Sequence, residues 1–206
     1  MLLIVDGVHG LGVEDPKITA VGCDAFAAGT HKWLFGPRGT GFVWAKAAVW
    51  QKMRPVIPSF FSLEPFEAWE QEREPQIPAR AARFSPGGFQ AFEHYFALPA
   101  AIRFHQNVGP ARITARTHEL NGQLKEGLAR MTSIQLYTPR DENLAAGMVC
   151  FDVKGMKPER VVKRLLDQRI VASTTPYRVS YARLACGVVN TSQEVDTALR
   201  AIRDLT

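Results

Sequence analysis

The stretch 28–41 constrains the fold more than any other part of the chain, because it joins two ionisable side chains to a run of glycine and proline. His31 and Lys32 come first, and residues 36–41 then read Gly-Pro-Arg-Gly-Thr-Gly. Glycine and proline interrupt helices and strands alike, so this run is predicted to be a loop. The apolar residues 42–44 that follow are typical of a strand. The stretch therefore predicts a histidine and a lysine held in an ordered loop beside a sheet.

A second informative element is the apolar run Leu2–Val5. Consecutive apolar residues that end in β-branched side chains indicate a central parallel strand, covered on both faces. Asp6 ends this strand, and ligands of open α/β sheets gather at the carboxyl ends of strands. Judged by residue type alone, Asp6 is more typical of a turn aspartate, and Lys32 of an ordinary surface lysine.

The rest of the chain predicts a mixture of strands and helices, and hence an α/β fold. Residues 54–92 carry repeated prolines and interleaved aromatic side chains, which predict an ordered loop or lid. Further strands are predicted at 24–28, 133–137, 147–153, 170–172 and 177–180. Helices are predicted at 46–52, at 91–106 with a kink at Pro99, at 109–131, at 158–168 and after the capping-box sequence Thr191–Glu194.

Composition excludes several classes of protein. The chain of 206 residues is 46% hydrophobic and 22% charged, as expected of a globular protein. Its formal charge of +5 is scattered without basic runs, which argues against nucleic-acid binding. No apolar run approaches the roughly 20 residues of a membrane helix. Three widely spaced cysteines without a CxxC pair predict no metal site and a reducing, cytoplasmic location.

Four short motifs occur in a fixed order: Asp6-Gly7-Val8-His9, Gly22-Cys23-Asp24, His31-Lys32 and the glycine–proline run 36–41. This order resembles the class V aminotransferase family of pyridoxal phosphate (PLP) enzymes, and within it the isopenicillin N epimerase-like branch. The resemblance implies a fold-type I PLP-dependent transferase. It also implies an amino-acid substrate and amino-group chemistry, either transamination or epimerisation, with the choice between them open.

The resemblance also assigns roles to single residues. Asp6 would pair with the pyridine nitrogen of PLP, and His9 would lie near the ring hydroxyl. His31 would help to hold the phosphate, and Thr30 would substitute for a serine or asparagine of the family. Lys32 would form the Schiff base and then act as general base at the α-carbon of the substrate.

Arg178, in the predicted strand 177–180, would bind the substrate carboxylate by the same resemblance, because a guanidinium fork matches a carboxylate. Arg183 is a rival for that role. A Gly-Thr phosphate contact from the partner subunit falls near residues 87–89, where the threonine is missing. The desulfurase branch needs a nucleophilic cysteine before the arginine. None occurs between residues 154 and 177, so persulfide chemistry is not expected.

The resemblance covers nearly the whole chain but only the later half of a family member. We therefore expect a fragment: the C-terminal portion of the family fold, with an incomplete large domain built on a mixed sheet and a small C-terminal α/β domain. Residues 1–92 would complete the PLP-binding large domain, and residues 93–206 would form bridging helices and the small domain. The assembled enzyme would be a homodimer. The alternative is a non-catalytic remnant, or a subunit that needs a partner chain to complete its site.

Overall fold

The computed structural model describes residues 1–14, 17–54, 63–78, 80–85 and 90–205. The chain forms two compact units: unit 1 is Met1–Leu11 with Pro16–Phe104, and unit 2 is Gly12–Asp15 with His105–Thr206. The main boundary between the units thus falls after Phe104, whereas the sequence-based boundary lies between residues 92 and 93. The assignment of residues 1–92 to a cofactor-binding domain stays a prediction.

Unit 1 contains a three-stranded mixed sheet, as expected. Its strands are β1 (Ile4–Asp6), β2 (Ala25–Gly29) and β3 (Gly41–Ala45), in the order β1-β2-β3. Strand β1 runs parallel to β2, and β3 runs antiparallel to it. The helices of this part of the chain are α1 (Ala47–Trp50), α2 (Leu63–Glu70), α3 (Ala81–Phe84) and α4 (Phe92–Val108), and a 3-10 turn covers Ile18–Ala20.

The alternation of side chains along β2 and β3 builds a small core on each face of the sheet. Ala25 and Ala45 are register partners and pack on one face with Val49 and Trp50 of α1. Phe26 is buried on the other face, next to partly buried aromatic side chains of β3. Because strand side chains alternate with a period of two, a short sheet can bury both faces.

The prediction that β1 is a central strand covered on both faces is wrong. β1 pairs only with β2 among the described strands, and Leu2, Leu3 and Ile4 are 49%, 51% and 68% exposed. An apolar run indicates that a segment favours burial, but it does not indicate which other elements will pack against that segment. Asp24 accepts a hydrogen bond from the Leu3 N–H at 2.8 Å and thereby holds the start of the strand.

Unit 2 is a four-stranded antiparallel sheet with helices. Its strands β4 (Ile134–Leu136), β5 (Met148–Val153), β6 (Ser173–Thr174) and β7 (Ala182–Ala185) lie in the order β4-β5-β7-β6. The helices are α5 (Pro110–Ala129), α6 (Pro158–Asp167) and α7 (Ser192–Arg203), and a 3-10 turn covers Glu142–Leu144. Buried leucines of α5 and α6 pack with Val149, Phe151 and Val153 of β5 in one apolar core.

Two predicted strands of unit 2 are displaced. The segments 170–172 and 177–180 are not strands, and the structure forms β6 and β7 a few residues later. Thr175 explains the shift, because it bonds with Tyr181 through both its backbone and its side chain, and the Ser180 hydroxyl donates to the Thr175 carbonyl at 3.0 Å. These bonds fold residues 175–181 into a turn.

The segment 54–92 is more regular than predicted, because α2 and α3 lie within it. Pro65 falls near the start of α2, where proline is tolerated. The phosphate contact expected near residues 87–89 falls on residues outside the described part of the chain.

At the other end of the chain, the predicted capping box is confirmed: Thr191 accepts from the Glu194 N–H, and the Glu194 carboxylate accepts from the Thr191 N–H. Over the part of the chain that is described, none of the helices has both the length and the apolar character needed to cross a membrane.

Candidate active site

The loop 30–40, which carries the histidine–lysine pair, is closed at its base by backbone hydrogen bonds. The Thr30 N–H donates to the Thr40 carbonyl at 3.0 Å, and the Gly36 N–H donates to the Thr30 carbonyl at 2.8 Å. A Cβ on Gly36 would lie 2.8 Å from that carbonyl oxygen, so this approach requires glycine. Phe35 has a φ of 59°, an uncommon conformation for a residue other than glycine. The loop is therefore tightly determined, as the sequence predicts.

The Lys32 amine lies beside the imidazole of His9. Lys32 Nζ is 3.0 Å from His9 Nε2, and the Trp33 indole Nε1–H donates to His9 Nδ1 at 3.3 Å. An indole N–H can only donate, so Nδ1 accepts and the proton of the neutral imidazole belongs on Nε2. The sequence predicts both His9 and Lys32 as site residues, but it gives no sign of Trp33 as the group that orients His9.

Asp6 lies at the end of β1, where the chain turns. Its Oδ1 accepts a hydrogen bond from the Val8 N–H at 3.0 Å, and the Gly7 N–H donates to Ala27 at 2.8 Å. Asp6 and Val8 line an open concavity of about 400 Å³ together with residues of β2 and Phe42 of β3. Asp6 is thus both a turn aspartate and a residue of a concave surface at the carboxyl end of a strand.

His31 lies next to this concavity. A Cβ placed on Gly29, which lines the concavity, would come within 2.8 Å of the His31 ring and 3.6 Å of Val8. The absence of a side chain at position 29 therefore makes room for the imidazole. Both His31 and Lys32 are exposed, so their polar atoms are open to a ligand.

Thr30 is placed differently from its sequence-based expectation. Its side chain is only 2% exposed and forms a short hydrogen bond with the Thr40 hydroxyl, which in turn donates to the Pro37 carbonyl at 2.6 Å. The Thr30 hydroxyl therefore holds the loop together. Thr40 is the partner of Thr30 in this hydrogen bond, and the sequence gave no indication of that role.

The two candidate arginines differ in their local setting. Arg178 is exposed in the bend before β7, outside any strand. Arg183 is half-buried on β7, in register with Ser173 on one side and Cys150 on the other. Its Nε donates to the Ser173 hydroxyl at 3.1 Å. The sequence predicts that the arginine that binds the substrate carboxylate lies on a strand. Arg183 lies on a strand, and Arg178 does not.

The cysteines are poor nucleophile candidates. Burial raises the pKa of the Cys186 thiol to about 11, and burial also raises the pKa of the Cys150 thiol above its ordinary value. A reactive cysteine needs a lowered pKa, because the thiolate is the nucleophile. All three cysteines are free thiols. Within the described residues, no cluster of histidine, cysteine and acidic side chains is suited to a metal ion.

Comparison with known proteins places these residues in a family. The family model described as Aminotransferase class-V matches residues 1–198, and the chain therefore belongs to that family. The chain is 29% identical over 217 aligned residues to isopenicillin N epimerase from Streptomyces clavuligerus, covering 98% of this chain and 52% of that protein. It is 24% identical to a probable cysteine desulfurase from Halalkalibacterium halodurans, covering 98% and 50%.

Solved structures support the same fold. The apo structure of a cysteine desulfurase from Thermococcus onnurineus NA1 matches with a TM-score of 0.83 at 24% identity, covering 98% of this chain and 52% of that chain. The two sheets and their helices thus form about half of the class V fold, in agreement with the expected fragment. The chain spans about half the length of the curated relatives it matches.

Proposed function

We propose that this chain provides the lysine-bearing part of a PLP-dependent enzyme that acts on the amino group of an amino acid, by transamination or epimerisation. The observation that carries the proposal is the Lys32–His9 pair, with its nitrogens 3.0 Å apart, on a tightly closed loop. The family match over residues 1–198 supports the choice of cofactor.

The residues present fit PLP. Asp6 supplies a carboxylate at the edge of a concave surface, His31 a ring nitrogen near it, and Lys32 an exposed amine on the neighbouring loop. Asp6 would face the pyridine nitrogen, His31 would contact the phosphate, and Lys32 would bond to the aldehyde carbon. When bound, PLP supplies an electron sink that stabilises negative charge at the α-carbon of an amino acid. Thr30 is left out of the proposed ligands because its hydroxyl is buried against Thr40.

His9 and Trp33 would together position the Lys32 amine. The Trp33 indole N–H holds His9 Nδ1, which leaves Nε2 directed at Lys32 Nζ. With its proton on Nε2, the neutral His9 ring would donate a hydrogen bond to the Lys32 amine and so would position that amine for its role as general base. This pairing needs no movement of the backbone, because the closed loop already fixes Lys32.

The cysteines favour amino-group chemistry over persulfide chemistry. Cys150 lies on β5 and Cys186 follows β7, and burial raises the pKa of both thiols. Neither is the low-pKa thiolate that a sulfur-transfer nucleophile requires. Free cysteines are also typical of proteins from reducing compartments, and we place the protein in the cytoplasm.

A second candidate function is that of a subunit that needs another polypeptide to complete its PLP site, in a homodimer or with a different chain. The edge of β1 supports this candidate, because Leu2, Leu3 and Ile4 are largely exposed and the strand pairs only with β2 in the described structure. An unpaired, apolar strand edge favours association with a further strand.

Reductive trapping tests the proposed function. The purified chain is mixed with PLP, treated with borohydride and examined by intact mass and peptide mapping. We expect one cofactor per chain, attached to the peptide that contains Lys32, because reduction fixes the bond between the lysine nitrogen and the cofactor. Labelling spread evenly over exposed lysines would contradict the proposal. Specific labelling only after a second polypeptide is added would favour the second candidate.

Arg183, rather than Arg178, is proposed to bind the substrate carboxylate. We expect Arg183→Lys to weaken amino-acid binding to the PLP-loaded protein by about tenfold or more, since a hydrogen bond to a charged group contributes about 1.5–3 kcal/mol. The matched variant Arg178→Lys should change the affinity less than about twofold. Binding is followed as the absorbance change that an added amino acid produces. The reverse ranking of the two variants would assign the role to Arg178.

A further inference from the structure

A second concave site lies in unit 1, away from the lysine loop. It is a small cavity of about 140 Å³, lined by residues of α2 and α3, by residues that follow α2 and by Arg54. None of its described lining residues is shared with the candidate PLP site. They are Arg54, Pro65, Trp69, Arg73, Glu74, Pro75 and Arg83.

The ion pairs at this cavity contain more arginines than carboxylates. Arg54 and Arg83 share a single carboxylate, that of Glu74, at 3.1 Å and 3.5 Å. Arg73 is paired with its own partner, Glu64, at 2.7 Å. Among the described residues, these ion pairs join three guanidinium groups to two carboxylates, which is an excess of one positive charge. A single bound anion of charge −1 would balance the site.

Arg83 shows where such an anion would bind. The residue is only 8% exposed, and its Nε–H has no hydrogen-bond partner among the described residues. A buried donor left unpaired is costly, and more so when the group is charged. The Nε edge of a guanidinium can grip a carboxylate with two parallel hydrogen bonds. The orphan Nε–H is thus an unused donor of this edge, whose other nitrogen, Nη2, lies 3.5 Å from a carboxylate oxygen of Glu74.

The walls of the cavity select for shape. Trp69, which is 60% exposed, presents a flat indole, and Pro65 and Pro75 add apolar rings. A cavity of about 150 Å³ is large enough to hold benzene. The space of about 140 Å³ found here therefore suits a ring-sized or amino-acid-sized body rather than a bare ion.

We propose that this cavity binds a small organic monocarboxylate with a flat apolar body. The carboxylate engages Arg83 with the support of Arg54, and the body lies against Trp69. The site is independent of the proposed PLP chemistry, since it uses neither Lys32 nor Asp6.

Calorimetric titration of the full chain with benzoate, in the absence of PLP, tests the proposal. We expect saturable binding of one benzoate per chain with quenching of tryptophan fluorescence. Trp69→Phe should abolish the quenching but keep the calorimetric binding, because phenylalanine preserves a flat wall. Benzyl alcohol, which lacks the carboxylate, and inorganic phosphate, which lacks the flat body, should each bind at least about tenfold more weakly.

Arginine variants locate the binding site. Arg83→Lys keeps the charge but loses the planar fork, and should weaken benzoate binding by about tenfold. Arg54→Gln lies at an exposed position, so it should leave folding intact and weaken binding by about threefold. Arg160→Gln, an exposed change in unit 2, should have no effect. Equal binding of benzyl alcohol or phosphate would overturn the proposal, and so would unchanged benzoate binding in a folded Arg54→Gln protein.

Discussion

Replacement of Lys32 by alanine is expected to abolish the borohydride-trapped PLP adduct completely. Borohydride fixes only a bond between the aldehyde carbon and an amine nitrogen, and Lys32 is the amine that the closed loop places beside His9 Nε2 at 3.0 Å. Loss of a positioned general base also slows proton transfer by about 10²–10⁴-fold. Intact mass and peptide mapping after reduction measure the effect directly, without any need for turnover.

Lys46→Ala is the matched control for this experiment. Lys46 is also exposed, but its amine is held by Asp24 at 2.9 Å rather than by a histidine. Its removal should leave the trapped adduct unchanged. If Lys32→Ala protein were labelled as fully as the unaltered chain, the adduct would come from unspecific surface chemistry, and the assignment of Lys32 would fail.

Phe151→Ala is expected to have the largest effect on stability. Phe151 is fully buried on β5, in the core that joins the sheet of unit 2 to its helices. Truncation of a buried phenylalanine costs about 3–5 kcal/mol, because apolar contacts are lost and a cavity remains. With a urea dependence of about 2 kcal/mol/M, the midpoint of the unfolding transition should fall by about 2 M.

Circular dichroism in urea checks this value, with Phe96→Ala as the comparison. Phe96 lies on α4 and is 82% exposed, so its truncation should change the free energy of unfolding by less than about 0.5 kcal/mol. Equal midpoints for the two variants would show that Phe151 is not part of the core that limits the stability of the chain.

Local patterns were sufficient for most elements of the fold. The helix α5 follows its helical spacing of apolar side chains and begins at Pro110, directly after a glycine with a φ of 95°. The capping box at Thr191 forms as predicted. Such features depend on residues only a few positions apart, so the sequence reports them directly.

Features that depend on distant neighbours were predicted less well. The apolar character of β1 indicated a buried strand, yet β1 is the edge strand of the sheet that the described residues form. The strands β6 and β7 are displaced because the hydrogen bonds of Thr175 and Tyr181 fold the intervening residues into a turn. The strand position of Arg183, which favours it over Arg178, follows from that displacement.

The sequence alone determined the family resemblance and the α/β class, and it predicted the residues that would hold PLP, because short motifs in a fixed order encode them. The tertiary structure decided which groups meet. Trp33 contacts His9 across 24 residues, and the Thr30 hydroxyl bonds with Thr40 and not with solvent. Arg83 is buried with a single shared carboxylate. These outcomes depend on how the backbone folds back on itself, and no local pattern of residues specifies that.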